Sequence, residues 1–181
     1  FVGYIQMGVW YIPVFIFVLV ATSNATNLTD GLDGLAAGVL FFAFGALAVV
    51  AFVLGRYDLA VMIAVILGAL LAFLWFNIPP ARFYMGEAGI VGLTTVLTVI
   101  AFLTDSAAVL PIIAFVLMLE VASNVIQLAS KRFFGRKIFL ISPIHHHFEA
   151  IGWPPYKVTM RFWVISTVMA IIGMTVALIG R

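Results

Sequence analysis

The sequence predicts an all-α fold, a polytopic transmembrane helix bundle with about six spanning helices and its catalytic loops on the cytoplasmic side. Hydrophobic residues make up 65% of the chain and charged residues only 9%, whereas a soluble domain is nearer half apolar and a quarter charged. Apolar runs that can cross, or nearly cross, about 30 Å of hydrocarbon recur along the chain. Polar turns and prolines separate these runs.

Six apolar segments are predicted to span the membrane: residues 10–23, 32–54, 59–76, 90–103, 107–130 and 158–179. Polar turns at residues 55–58 and 104–106 separate two pairs of them. Pro79 and Pro80 must end the third helix, because proline lacks a backbone donor and the residue before it avoids the helical conformation. Pro111 is predicted in the first turns of the fifth helix, where proline is tolerated.

Lysine and arginine are distributed unequally between the two sets of loops. Seven fall on one set: Arg82, Lys131, Arg132, Arg136, Lys137, Lys157 and Arg161. Only Arg56 and Arg181 fall on the other set. Because cytoplasmic loops carry the excess of positive charge, residues 27–33, 77–87 and 145–149 are all predicted on the cytoplasmic side.

Composition also excludes several kinds of site. The chain has no cysteine, which excludes disulfides, thiolate metal sites and a cysteine nucleophile. A net charge of +2 does not indicate nucleic acid as a partner. The chain begins with Phe1 and has no charged segment before an apolar run, so no signal peptide is predicted. We expect one transmembrane domain, residues 1–181, from which N-terminal helices are missing.

The first polar motif, residues 24–34, holds two carboxylates, Asp30 and Asp33, where a helix enters the membrane. On a helix, residues three apart share one face. Charges near the membrane are costly, so this motif suggests binding of a cation or of hydrogen-bond donors, with glycines that let a ligand approach the backbone. Capping is the open alternative, with Asp30 as the N-cap and Asp33 at the third helical position.

The second motif, residues 77–89, combines Asn77, two prolines, an aromatic residue and Glu87 between glycines. Glu87 is predicted at a positive helix N-terminus, which also attracts phosphate. Mg²⁺ is usually held by one or two carboxylates together with substrate phosphates. Glu87 is therefore a candidate magnesium ligand, and an ordinary loop with a capping glutamate is the alternative.

The third motif, residues 142–149, contains three adjacent histidines, His145, His146 and His147. Neighbouring helical positions diverge, so the three cannot all bind one tetrahedral zinc ion. Imidazoles beside a basic loop suit phosphate binding better. A partly solvated interfacial loop without a binding role is the alternative.

The fourth feature is a polar stripe on the fifth predicted span, formed by Glu120, Asn124, Gln127 and Lys131. Spacings of four, three and four place these residues on one helical face. In an apolar span this face must point to the bundle interior or to an aqueous cleft. Hydrogen bonding between helices is the alternative, and for Asn124 it is equally compatible with the pattern.

Taken in this order, the motifs resemble those of the polyprenyl-phosphate N-acetylhexosamine-1-phosphate transferases. The resemblance rests on Asn-Leu-Thr-Asp-Gly-Leu-Asp-Gly, Phe-Tyr-Met-Gly-Glu-Ala-Gly and Ser-Pro-Ile-His-His-His-Phe-Glu. It covers essentially the whole chain, as the later helices of a ten-helix protein. The histidine motif is typical of the branch that transfers phospho-MurNAc-pentapeptide from UDP-MurNAc-pentapeptide to undecaprenyl phosphate, giving lipid I and UMP. The resemblance implies Mg²⁺ as cofactor, the bacterial cytoplasmic membrane as location, and a homodimer as a possible assembly.

The resemblance also implies site residues. Those implied to be catalytic are Asp30, Asp33, Glu87, His145, His146 and His147. Those implied to bind substrate are Asn27, Gly31, Leu32, Asn77, Tyr84 and Gln127. In this scheme Asn77 and Tyr84 hold the uracil, Glu87 binds Mg²⁺, and the histidines line the phosphate and sugar side.

Three positions depart from the family pattern. Glu87 stands where the family has aspartate, Ile90 where it usually has serine, and Tyr84 where it usually has phenylalanine. The longer Glu87 would move a bound ion by about a bond length, and a misplacement of that size can cost about 10²-fold in rate. The family's paired aspartates and a nearby lysine belong to earlier helices, so this chain alone is expected to be catalytically incomplete.

Three other functions are left open. A related enzyme could transfer GlcNAc-1-phosphate to the same lipid, although the histidine motif argues against it. A non-enzymatic membrane subunit or degenerate paralogue would be compatible with Glu87. A transporter could use Asp30, Asp33, Glu87 and Glu120 as an ion path, but no inverted repeat supports it.

Overall fold

The computed structural model describes residues 7–180, which form helices, turns and loops without a strand. Arg181, which was counted with the outer loops, lies outside the described residues. After a short 3₁₀ turn at Gly8–Trp10, the helices in this range are α1 (Tyr11–Thr29), α2 (Leu35–Val53), α3 (Tyr57–Asn77), α4 (Gly86–Leu103), α5 (Leu110–Ile113), α6 (Phe115–Phe134), α7 (Ile144–Ala150) and α8 (Pro155–Ile179).

The predicted all-α membrane fold is confirmed. Within the described residues, five helices are long and apolar enough to cross a membrane: α1 with the turn before it, α2, α3, α4 and α8. The fifth predicted span, residues 107–130, is not among them. Its place is taken by α5 and α6, and α6 carries Glu120, Lys131 and Arg132 together with the polar stripe.

Three predicted helix boundaries were wrong in ways that matter for the polar motifs. Helix α1 continues to Thr29 instead of ending at residue 23, so the first half of the 24–34 motif is helical. Helix α2 begins at Leu35 instead of residue 32, because Gly34 adopts the left-handed conformation with φ 73°. The fifth predicted span is interrupted at Ala114, whose φ of −100° and ψ of 37° are not helical.

Two further differences lie at helix starts. Helix α4 begins at Gly86, four residues before its predicted start, and thereby places Glu87 in its first turn. Helix α8 begins at Pro155, three residues before its predicted start. The predictions that the Pro79-Pro80 pair ends α3 and that Pro111 lies in a first helical turn were correct.

Helix α2 is the centre of the bundle and packs mainly against α3 and α8. Its side chains Leu35, Leu40, Phe44 and Leu47 are completely buried. Burial around most of a helix is expected when lipid-facing neighbours surround it. This helix therefore fixes the position of the turn that precedes it.

Helices α1 and α4 form an antiparallel pair beside this centre. The hydroxyls of Thr22 and Thr98 share a hydrogen bond of 2.8 Å between Oγ1 atoms. Nearer the start of α1, the ring of Tyr11 meets that of Phe102 edge to face at 5.4 Å. The end of α1 consequently lies beside the start of α4.

The polar motifs meet at one end of the bundle. This end, called the site end below, carries the 30–34 turn, the 78–85 loop and α7. Helix α8 reaches it with its first turns, where Thr159 Oγ1 donates to the carbonyl of Asp33 at 3.2 Å and Trp163 Nε1 donates to that of Gly34 at 3.1 Å. Arg56 marks the opposite end, where its guanidinium lies 3.4 Å from the carbonyl oxygen of Leu103.

Candidate functional site

The two carboxylates of the first motif lie in the turn between α1 and α2. Asp30 follows the last residue of α1, and Gly34 is the N-cap of α2. The capping alternative for Asp30 and Asp33 was therefore wrong, and so was the expectation that they share a helical face. Asp33 Oδ2 instead accepts a hydrogen bond from the backbone N–H of Ala81 at 3.0 Å. Leu32 is partly buried and packs against the apolar core.

Asp30 is half-buried at the edge of the bundle. Burial raises the pKa of its carboxyl above the ordinary value of 3.8, because removal of water penalises the charged form. At neutral pH, the charged and partly buried carboxylate lowers the stability of the folded state. Such a loss of stability is often retained where a charge has a chemical role.

Asn77 joins the first motif to the second. It ends α3 and is only 4% exposed. Its Oδ1 accepts a hydrogen bond from the backbone N–H of Gly34 at 3.2 Å, and its Nδ2 donates to the carbonyl of Phe83 at 3.0 Å. Its side-chain amide therefore positions two backbone segments. The neighbouring Tyr84 is 69% exposed and is available to a ligand.

Glu87 lies in the first turn of α4 and is exposed. It lines an open groove of about 210 Å³ together with Ser23, Asn24 and Asn27 of α1. This groove thus brings together two residues that were predicted for the site, Glu87 and Asn27. Among the residues that the structure describes, no group of three or more histidine or carboxylate side chains could hold a metal ion.

The three histidines form the short helix α7 rather than a loop. His145 is completely buried, and its Nδ1 lies 2.9 Å from Oε2 of the equally buried Glu120 on α6. Nε2 of His145 and Oε1 of Glu120 are buried without a hydrogen-bond partner. Such orphaned polar atoms are rare in native proteins and call for an explanation.

The next two histidines use other partners. His146 Nδ1 lies 2.6 Å from Oε2 of Glu149, and these side chains are 39% and 29% exposed. The backbone N–H of Leu140 donates to Nδ1 of His147 at 3.2 Å. The His147 ring also packs against that of Phe139, with a centroid distance of 5.6 Å.

Gly31 brings the first motif against the third. A side chain at this position would collide with Nε2 of His145, and its Cβ would lie 3.3 Å from Nε2 of His146. The His145 and His146 rings are adjacent, with centroids 4.1 Å apart. The absence of a side chain at Gly31 is therefore what allows the turn and the histidine helix to approach.

Gln127 on α6 holds the loop that leads to the histidines. It is 3% exposed. Its Oε1 accepts from the backbone N–H groups of Ile138 and Phe139, both at 3.0 Å, and its Nε2 donates to the carbonyl of Phe139 at 2.9 Å. Gln127 was expected to contact substrate, but in this structure both ends of its side-chain amide are hydrogen-bonded to the backbone of the loop.

Three more α6 side chains fasten the same segment. Ser123 Oγ accepts from the backbone N–H of Ile144 at 3.0 Å, and Ser130 Oγ donates to the carbonyl of Arg136 at 2.8 Å. The side chains of Asn124 and Ser142 form a hydrogen bond of 3.2 Å. The polar stripe of α6 therefore serves chiefly to fold residues 136–147 onto the helix, while Lys131 is exposed.

Comparison with known families identifies the family of this chain. Residues 1–105 match the family model described as glycosyl transferase family 4. The chain belongs to this family. The transferase relationship expected from the motifs is thereby confirmed.

Curated relatives extend the family 4 match into the part of the chain that contains the histidines. The phospho-N-acetylmuramoyl-pentapeptide-transferase of Anoxybacillus flavithermus is 44% identical over 169 residues, which are 93% of this chain and 52% of that protein. The enzyme of the same name from Lactiplantibacillus plantarum is 42% identical over 171 residues, 94% of this chain and 53% of that protein. The chain spans about half the length of the curated relatives it matches.

The family 4 match and the helices also establish where the protein resides. Bacterial relatives and five apolar helices identify a multi-pass protein of the bacterial cytoplasmic membrane. The predicted localisation is confirmed.

Sequence reasoning missed three polar residues of this family 4 chain. Ser123 and Ser130 lie on the same face as Glu120 and Gln127, but serine is common in membrane helices and gives no distinct signal. Glu149 belongs to the histidine motif and received no role. Its spacing of three residues from His146 was the available signal, because such residues are neighbours on a helix.

Proposed function

We propose that this chain forms the nucleotide-sugar-binding part of an enzyme that transfers phospho-MurNAc-pentapeptide from UDP-MurNAc-pentapeptide to undecaprenyl phosphate. The products would be lipid I and UMP, for peptidoglycan synthesis. The supporting observation is that Asp33, Asn77 and the histidines, which are far apart in sequence, meet at one end of a membrane bundle. A soluble nucleotide and a lipid phosphate can meet only at such an interface.

The donor would lie across the turn that links the first two motifs. Its uridine fits the edge formed by Gly31, Leu32 and Asp33, where glycine permits close approach of a ligand to the backbone. Tyr84 is exposed beside this edge and offers an aromatic face for the uracil. Asn77 would act by fixing the turn, because both ends of its amide are hydrogen-bonded to backbone.

The chemistry proposed is phosphoryl transfer, which depends mainly on positioning and charge stabilisation. Asp30 and Asp33 are held in a turn whose backbone is fixed by α8 and by the 78–85 loop. The histidines reach the same turn at Gly31. These residues would orient the diphosphate and sugar of the donor between them.

The residues near Glu87 fit Mg²⁺ by the chemistry of their donor atoms. The groove contains one carboxylate, from Glu87, and the side-chain amides of Asn24 and Asn27. Mg²⁺ prefers oxygen ligands and usually completes its shell with water and substrate phosphates. Glu87 would hold the ion, which when bound would polarise the diphosphate and stabilise the leaving UMP.

The chain is proposed to need the remaining half of such an enzyme for turnover. It spans about half the length of its curated relatives. We therefore expect no UMP release from this chain alone, and we propose a homodimer as the assembly of the complete enzyme. A degenerate paralogue would also be inactive alone, but it would stay inactive when completed.

The test is a donor assay on the chain completed with the upstream half of a family 4 relative. Mg²⁺-dependent release of UMP from UDP-MurNAc-pentapeptide is expected, with UDP-GlcNAc as a poor competitor. Preference for UDP-GlcNAc would indicate the GlcNAc-1-phosphate transferase instead. No release from any completed chain that retains the fold would contradict the proposal.

Two substitutions test the site. Asp33→Asn keeps an oxygen that can accept from Ala81 N–H but removes the charge, so we expect a folded protein without turnover. Glu87→Asp restores the residue type of the family, and we expect Mg²⁺ affinity to be retained or raised. Near-normal turnover of the first variant would refute the role of Asp33, and weaker binding in the second would show a site rebuilt around glutamate.

A further inference from the structure

The outer face of α6 is apolar, although α6 is not among the candidate membrane spans of the described residues. Val125, Ile126 and Leu128 are exposed, whereas Gln127 and Ser130 on the opposite face are buried. This order is the reverse of that in a water-facing helix, where the exposed face is polar. The outer face of α6 therefore contacts the hydrocarbon of the membrane.

A basic and aromatic segment follows this face at the C-terminal end of α6. Residues 131–141, called the basic segment below, read Lys-Arg-Phe-Phe-Gly-Arg-Lys-Ile-Phe-Leu-Ile. Its four cations are all exposed: Lys131, Arg132, Arg136 and Lys137. Between Glu120 and Glu149 the sequence has no acidic residue, and none of the four cations forms an ion pair with a carboxylate of the described residues. Their charge therefore has no counter-charge in this part of the protein.

The backbone of the basic segment is held in place by α6. Gly135, in the left-handed conformation with φ 63°, ends the helix and turns the chain. Ser130 Oγ then donates to the carbonyl of Arg136 at 2.8 Å, and Gln127 binds the backbone that follows. The two pairs of cations, before and after the turn, are thereby kept at the same end of α6. A ligand that binds both pairs does not first have to order this backbone.

Large apolar side chains are exposed among these charges. Phe133 and Phe134, between the two pairs of cations, are 75% and 72% exposed, and Ile138, Leu140 and Ile141 are exposed as well. A phosphate in water has no use for such a surface, whereas a lipid presents its phosphate and its acyl chains at adjacent depths. Lysine and arginine suit this boundary, because their stems lie along apolar surface while their charged ends reach the headgroups. Segments of this composition are typical of binding to anionic membranes.

We propose that the basic segment binds the headgroups of anionic phospholipids in the leaflet at the site end. The four cations donate to lipid phosphates, and the acyl chains pack on the aromatic pair and on the outer face of α6. Four charges match several singly charged headgroups better than one phosphate, so the ligand is the lipid of the bilayer. Because the basic segment leads directly into α7, this contact fixes the depth of the candidate site relative to the headgroups.

Local lipid composition can be measured from a label at a single position, because the chain has no cysteine of its own. Leu128→Cys places a fluorophore on the outer face of α6 beside the basic segment. Val61→Cys is the matched control, at an exposed position one turn into α3 from the opposite end. Each labelled full chain is placed in nanodiscs of phosphatidylcholine and phosphatidylglycerol, one of which carries a nitroxide quencher on its acyl chain.

We expect phosphatidylglycerol to quench the label at position 128 more strongly than phosphatidylcholine does, and the two lipids to quench the label at position 61 nearly equally. Added salt should weaken the preference at position 128, because it screens the headgroup charges. Equal quenching by the two lipids at position 128, or the same preference at both positions, would overturn the inference.

Neutral variants connect the preference to the cations. Replacement of all four by glutamine should abolish it. Arg132→Gln alone should raise the fraction of phosphatidylglycerol needed for half-maximal quenching by up to about fivefold, the equivalent of about 1 kcal/mol per cation near an anionic surface. Arg132→Lys keeps the charge and should restore the preference, and Arg56→Gln, at the opposite end, should leave it unchanged. A preference that survives the loss of all four charges would contradict the proposal.

Two competitors distinguish other anionic ligands. Inorganic phosphate should weaken the quenching by phosphatidylglycerol no more than chloride does at the same ionic strength. Undecaprenyl phosphate, added at one molecule per chain, should leave this quenching unchanged. If either competitor displaces the phospholipid, the cations bind a free phosphate or the acceptor lipid instead, and the inference is wrong.

Discussion

The side-chain oxygen of Asn77 accepts a hydrogen bond from the backbone N–H of Gly34 at 3.2 Å. This contact joins the last residue of α3 to the N-cap of α2, across 43 positions of sequence. The other end of the same amide holds the carbonyl of Phe83. One buried side chain thus determines how the first two polar motifs face each other.

Replacement of Asn77 by alanine should destabilise the protein. It would leave the N–H of Gly34 and the carbonyl of Phe83 without their partner, and each unsatisfied buried group costs about 1–3 kcal/mol. The free energy of unfolding in detergent or nanodiscs measures the effect. Asn24→Ala is the matched control, because this exposed amide bonds only to Val20 of its own helix. Equal stability of the two variants would contradict the role assigned to Asn77.

Gly31→Ala should push the turn away from the histidine helix. The new Cβ would collide with Nε2 of His145, whose ring is buried and held by Glu120 and so cannot swing aside. Overpacking of this kind costs about 1–3 kcal/mol. Gly45→Ala is the control, because open space surrounds its Cβ position within α2, and alanine there should stabilise the helix by up to about 1 kcal/mol. The same sign of effect in both variants would exclude the proposed collision.

Asp30 should make stability depend on pH. Its pKa is raised by burial, so the folded state binds the proton more tightly than the unfolded state. The free energy of unfolding should fall as pH rises from 3.8 through the folded-state pKa, and remain lower above it. Asp30→Asn should therefore raise the melting temperature at pH 7 and have little effect below pH 3.8. Asp105→Asn, at an exposed carboxylate of the opposite end, controls for the lost charge. A melting temperature of Asp30→Asn that falls at pH 7 would contradict the burial cost.

Gln127→Leu should release the loop before α7. The amides of Ile138 and Phe139 would lose their common acceptor, and hydrogen exchange at these two positions should accelerate at least tenfold, the effect of about 1.4 kcal/mol. Gln127→Glu keeps the acceptor oxygens and should protect both amides better than leucine does. Unchanged exchange in Gln127→Leu would mean that the loop holds its own conformation.

Features that depend on neighbouring residues could be predicted from the sequence. The proline pair after α3 predicted where that helix ends, and Glu87 was expected at a helix N-terminus, because both follow from local backbone chemistry. Features that depend on distant residues could not. The sequence did not reveal that Gly31 lies against His145, since only tertiary packing brings them together.

The same distinction explains the errors. Asp30 and Asp33 match a capping pattern, but Gly34 takes the N-cap position because its left-handed φ of 73° makes the sharp entry into α2. Gln127 was recognised as an inward-facing polar residue from its spacing. Its partners could not be predicted, because backbone groups of a loop carry no sequence signal.

The fastening of residues 136–147 by α6 has a consequence for how this protein can vary. Ser123, Gln127 and Ser130 contact main-chain atoms of the loop, and every amino acid but proline presents the same main-chain groups. We therefore expect that substitutions of outward-facing side chains in the loop leave its conformation unchanged. The residues that determine this shape lie on α6, and we expect fewer substitutions at these positions than in the loop.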